Sequence, residues 1–113
     1  MRILVCGSRN YVNKEKIYTI LDGYNITEII TGDATGADAI AREYAKARNI
    51  TLSVFHAKWD VYGKAAGPLR NRDMINEHPN LVLAFTSTYP KATLGTCHTL
   101  TLAKAAKIPN YLY

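Results

Sequence analysis

The sequence predicts an α/β fold: a single doubly wound domain of about five mostly parallel strands, with helices on both faces. Two observations lead there. Short apolar runs alternate with stretches of helical periodicity along all 113 residues. Those runs are continuous rather than alternating, as strands buried on both faces are. A repeated β–α order is the signature of parallel crossover units.

The first strand is expected at "RILVCGS", closed by Gly7. "ITEIITG", "LSVFHA", "LVLAFTS" and the short "NYLY" at the end supply the other four. Asn13 is a suitable N-cap for a helix over "KEKIYTILDGY", with Ile17, Ile20 and Leu21 on one face. Between Thr35 and Arg48, residues Ala37, Ile40, Ala41, Tyr44 and Ala45 form one stripe, and Asn49 suits a left-handed stop. Pro68 fits the first turn of a helix running to about Glu77. A last helix is expected from Thr96 to near Lys107, ended by Pro109. Irregular segments remain at 57–67 and 87–95, long for so small a domain and of the kind that carry function. Nothing divides the chain, so 1–113 is expected to be one domain.

Charge narrows the partners. The formal net charge of +5 favours phosphate-bearing molecules: nucleotides, nucleic acid or an anionic surface. No apolar run reaches the roughly 18 residues of a membrane span. "MRILVCGS" is too short for a signal peptide, so a cytoplasmic protein is expected. Cys6 and Cys97 make neither a disulfide framework nor a zinc site, and His56, His78 and His98 lack metal-ligand spacing. No metal and no cofactor are expected.

In a doubly wound sheet, ligands bind beyond the carboxyl ends of the strands, where strand order reverses. The loops there are "GSR" (Gly7, Ser8, Arg9), "TGDATGAD" (Thr31 to Asp38), "AKWDVYGKAAGPLRNRDM" (Ala57 to Met74) and "TSTYPKATLGT" (Thr86 to Thr96). Three of them carry glycine at a helix start, where free N–H groups and the helix dipole hold phosphate. The expected ligand set is Gly7, Ser8, Arg9, Gly32, Asp33, Ala34, Gly36, Asp38, Trp59, Lys64, Arg70, Asn71, Arg72, Gly95 and Thr96. Arg70 and Arg72 are expected in a first turn, where the dipole disfavours cations by a few tenths of a kcal/mol unless an anion binds between them. Backbone N–H groups near Gly7, Gly36 and Thr96 would cradle the phosphate, and Asn71 would donate a directional hydrogen bond. Trp59 and Tyr62 suit either stacking on a base or closing the edge of the core, with core or lid packing the favoured role.

Together, "GSR", "TGDATGAD", "AKWDVYGKAAGPLRNRDM", "AF" and "LGT" resemble the SLOG superfamily, in its small YspA-like branch, over nearly the whole chain. The resemblance implies a Rossmann-like fold, a nucleotide or nucleotide-derived ligand, and a homodimer or higher homo-oligomer. "PLRNRDM" is also similar to a segment of the DprA proteins, which bind single-stranded DNA, and to the Arg-containing helix start of the LOG phosphoribohydrolases. In the latter comparison Arg70 matches the LOG arginine, and Gly95-Thr96 the "GT" of their phosphate loop. LOG enzymes place a catalytic glutamate after that "GT"; this chain has Cys97, His98, Thr99 and Leu100. Asp33 stands where many relatives carry a small residue.

Three functions follow as expectations. The first is a sensor or sequestering protein for a phosphate-bearing nucleotide derivative. The second is a hydrolase cleaving an N-glycosidic or phosphate bond, with Asp38 as its catalytic carboxylate. The third is a single-stranded nucleic-acid binder whose affinity falls steeply with salt.

Overall fold

A computed structural model describes residues 1–113. Its strands are β1 (Arg2–Gly7), β2 (Glu28–Gly32), β3 (Thr51–Phe55), β4 (Leu81–Phe85) and β5 (Asn110–Leu112). All pair in parallel in the order β3-β2-β1-β4-β5. The chain winds outward from β1 to β3, then crosses to the other side of β1 for β4 and β5. The reversal lies between β1 and β4. No helix is long and apolar enough to cross a membrane.

The alternation of side chains along β1 divides two cores. Ile3 and Val5 pack with Ile29, Leu83 and Phe85 under α1 (Lys14–Leu21) and α2 (Ala37–Ala47). Leu4 and Cys6 face the other way, with Ile30, Val82 and Ala84 under α4 (Ala66–Ile75) and α5 (Leu94–Ala105). Helices therefore cover both faces, as a Rossmann-like doubly wound domain requires. Burial of both faces of β1 explains its unbroken apolar run.

Most helix ends obey local chemistry. The Asn13 side chain accepts from Lys16 N at 3.1 Å and caps α1. Asn49, with φ 54°, ends the turn after α2. Three expectations need correction. The segment 57–67 is not irregular: it holds α3 (Trp59–Tyr62) and a 3-10 turn (Gly63–Ala65) that leads straight into α4. Because α4 starts at Ala66, Arg70 lies in its second turn and Arg72 in its last, where the dipole favours a cation. The crowding of arginines thus carries no first-turn penalty. Finally, α5 starts at Leu94 rather than Thr96; Thr93 is the N-cap, and its Oγ1 accepts from Thr96 N at 3.4 Å.

Candidate functional site at the strand reversal

A cavity of about 590 Å³ opens at the carboxyl ends of β1 and β4. Its walls come from β1 and the loop after it (Cys6, Gly7, Arg9, Asn10), the β2–α2 segment (Ala34, Asp38), α4 (Arg70, Asn71, Met74) and the start of α5 (Thr93 to Thr96, with Thr99). Eight of the residues expected from sequence line it: Gly7, Arg9, Ala34, Asp38, Arg70, Asn71, Gly95 and Thr96.

Two helix N-termini meet this cavity in different states. At α2, the carbonyl oxygen of Ser8 accepts from Ala37 N at 3.1 Å. Gly36 permits that approach: its φ is +72°, and a Cβ there would stand 2.2 Å from the same Ser8 oxygen. Asp38 adds a carboxylate to the first turn. The Ser8 N–H is also engaged, donating to Phe85 O at 2.9 Å. The protein's own oxygen thus meets the first N–H of α2, while those of Asp38 and Ala39 find no acceptor in the protein, so the cradle expected around Gly7 and Gly36 is partly filled from within.

At α5 the first turn contains no acidic residue. The Thr93 hydroxyl serves Thr96 N, while the N–H groups of Leu94 and Gly95 find no acceptor in the protein. A Cβ on Gly95 would meet nothing within 4 Å. Packing does not call for glycine here, and glycine inside a helix costs roughly 0.5–1 kcal/mol relative to alanine.

The opposite wall carries paired charge. Gly32 is compressed between two side chains: a Cβ there would lie 2.4 Å from Arg70 Nη1 and 2.5 Å from Asp38 Oδ2. Asp38 is only 5% exposed and accepts from Ala34 N at 3.3 Å. Burial pushes its carboxyl above the usual carboxylate range, against the pull of Arg70, the Ala34 N–H and other nearby groups. Arg70 Nη1 donates to Asp33 Oδ1 at 3.0 Å, and Asp33 Oδ2 lies 3.3 Å from His56 Nδ1. The Asn71 amide is engaged on both sides: it accepts from Arg70 Nε at 3.1 Å and donates to Gly95 O at 3.3 Å, with His98 Nδ1 also 3.3 Å away. It ties the arginine wall to the start of α5.

The remaining expected residues lie around this centre. Ser8 is buried behind it, its hydroxyl 3.3 Å from that of Thr86. Trp59, half-exposed, lies against Gly67, and the Arg9 guanidinium sits 5.6 Å from its ring centroid. Lys64 and Arg72 are exposed and take no part in the cavity wall. Sequence reasoning missed Thr93, whose spacing of three from Thr96 was the available signal. It also missed Arg42, which donates from Nη1 to Gly32 O at 2.8 Å and Ala34 O at 2.9 Å and so fixes the β2–α2 loop. Its position one turn after Asp38 on α2 was the only hint.

Residues 1–62 match the YspA, cpYpsA-related SLOG family, more than half of the chain. The chain belongs to that family. The Gene 61 protein of Mycobacterium phage D29 is 31% identical over 119 aligned positions, which cover 96% of this chain and 92% of the phage protein. The SLOG match ends with α3, so it takes in the β1 and β2 loops but neither α4 nor α5. In this SLOG domain the arginine wall and the open helix start therefore come from the later part of the chain, which the alignment with the phage relative also spans. No residue of α5 is acidic, so the helix that carries the "GT" contributes no carboxylate.

Proposed function

We propose that this SLOG domain binds a nucleotide-derived phosphate ester in the cavity at the strand reversal, as a sensor or sequestering protein. The phosphate rests on the first turn of α5, against the N–H groups of Leu94 and Gly95, with Arg9 supplying charge from across the opening. The sugar lies toward Asp38, whose carboxyl can hold a hydroxyl. The observation that carries this reading is Gly95: a helical glycine that no packing requires, with a free N–H, on the wall of a cavity. Close approach of a ligand to the backbone gives that glycine a purpose.

Isothermal calorimetry with adenosine 5′-monophosphate (AMP) tests it. Gly95→Asp places a carboxylate where helix stability tolerates one but a phosphate does not. Binding should weaken about tenfold or more, with no loss of thermal stability. Equal affinity in the two proteins would remove α5 from the site.

A second reading, cleavage of the N-glycosidic bond of a nucleotide, is favoured by one observation. Asp38 is a buried carboxyl with a raised pKa on the cavity wall, as a catalytic acid would be. Incubation with nucleoside monophosphates, read as free base and lost in Asp38→Asn, would select this reading; no release of base would reject it.

A further inference from the structure

Arg70 is the most enclosed cation of the cavity, its side chain 11% exposed, and it already has an anion. Asp33 Oδ1 accepts from Nη1 at 3.0 Å, and Nε is held by Asn71. Only Nη2 has no hydrogen-bond partner within the protein. Asp38 faces the same guanidinium across Gly32. The cavity therefore offers a ligand an arginine whose charge is largely cancelled.

Asp33 differs from Asp38 in having somewhere else to go. It is 30% exposed, and its second oxygen lies 3.3 Å from His56 Nδ1 at the end of β3. Two arrangements are open to this trio. In one, Asp33 bridges His56 and Arg70, as observed. In the other, Asp33 stays with His56 while Arg70 turns its fork to an incoming phosphate, which pairs with two guanidinium nitrogens at once.

We propose that Asp33 is a built-in competitor for the ligand's phosphate: it latches Arg70 and sets the affinity that a phosphate must overcome. The inference rests on the reading of this cavity as a phosphate-ester site and adds to it how that site discriminates. A doubly charged phosphate outcompetes one carboxylate for a guanidinium, whereas an uncharged nucleoside cannot. The latch thus suits a site that must ignore nucleosides and admit nucleotides.

The test compares wild type with Asp33→Asn, which keeps the shape of the side chain and removes its charge. AMP, inorganic phosphate and adenosine are titrated separately by calorimetry. The expected result is a gain of about fivefold or more for AMP and for phosphate in the variant, and none for adenosine. Unchanged or weaker AMP binding by the variant, with wild type still binding AMP, overturns the latch and leaves the phosphate site standing. No AMP binding by either protein overturns both. If Asp33→Asn folds poorly, Asp33→Ser removes the same charge and is judged by the same outcomes.

Discussion

Helices α2 and α5 both begin at the carboxyl end of the sheet, both begin beside glycine, and both reach the same cavity. They part in what meets their first N–H groups. At α2 the Ser8 carbonyl, admitted by Gly36, lies against Ala37 N, and Asp38 stands in the first turn. At α5 a threonine hydroxyl serves one N–H, and Leu94 and Gly95 are left without acceptors. Each start leaves two N–H groups without an acceptor, but at α2 the first N–H is taken by the protein's own carbonyl and a carboxylate stands among the rest, whereas at α5 the first two N–H groups are free and no acid stands beside them. A glycine at a helix start can thus admit the protein's own backbone or a ligand, and the space around its missing Cβ tells which.

Substitutions of the two glycines should break this pair apart most sharply. Gly36→Ala puts a methyl 2.2 Å from Ser8 O in a backbone conformation that only glycine takes readily, φ 72° and ψ −128°. Urea unfolding should show a loss of about 3 kcal/mol or more. Gly95→Ala, with nothing in the way, should leave stability unchanged or raise it by up to about 1 kcal/mol, while AMP binding falls. Comparable destabilisation by the two changes would erase the distinction.

Thr93→Ala is next in size. It removes the hydroxyl that caps α5 and should cost about 1 kcal/mol in the same unfolding experiment, with weaker AMP binding as the turn frays. Retention of full stability would mean that Thr93 does not order the turn.

The smallest effect concerns the carboxylate at α2. Burial raises the Asp38 pKa above its unfolded value, so its neutral form is the one that the fold favours. Its stabilising share is complete below the ordinary carboxylate range and is lost as pH rises through the raised folded value. Asp38→Asn should flatten that part of the stability–pH profile, read by thermal melts from acid to neutral pH. Glu28, at the other end of β2, gives the opposite sign: Ser53 and Arg2 hold its pKa low, so its contribution is lost as pH falls through the lowered value. Glu28→Gln should remove that acid-side loss, and a common sign for the two variants would contradict the assignment.

Much of the fold was legible because it is local. Unbroken apolar runs marked strands covered on both sides, and the stripe from Ala37 to Ala45 marked a helix on one of them. The strand order was not written in any one segment; it depends on which edges meet. The short α3 escaped because four residues carry no periodicity, and it took with it the true position of Arg70 and Arg72. In the site, the loops after β1 and β2 and the start of α5 could be named from topology alone. What fills them could not. That Ser8 O reaches Ala37, or that Asp33 reaches Arg70, 37 positions away, is settled by packing between distant segments.

The most direct measurement is a ¹⁵N–¹H NMR titration of the uniformly labelled protein with AMP. The account predicts that the amides of Leu94 and Gly95 move downfield as they gain an acceptor, while Ala37, already bonded to Ser8 O, stays near its starting position. Large shifts at Ala37 and Ser8 with Leu94 and Gly95 unmoved would place the phosphate at the wrong helix and contradict it.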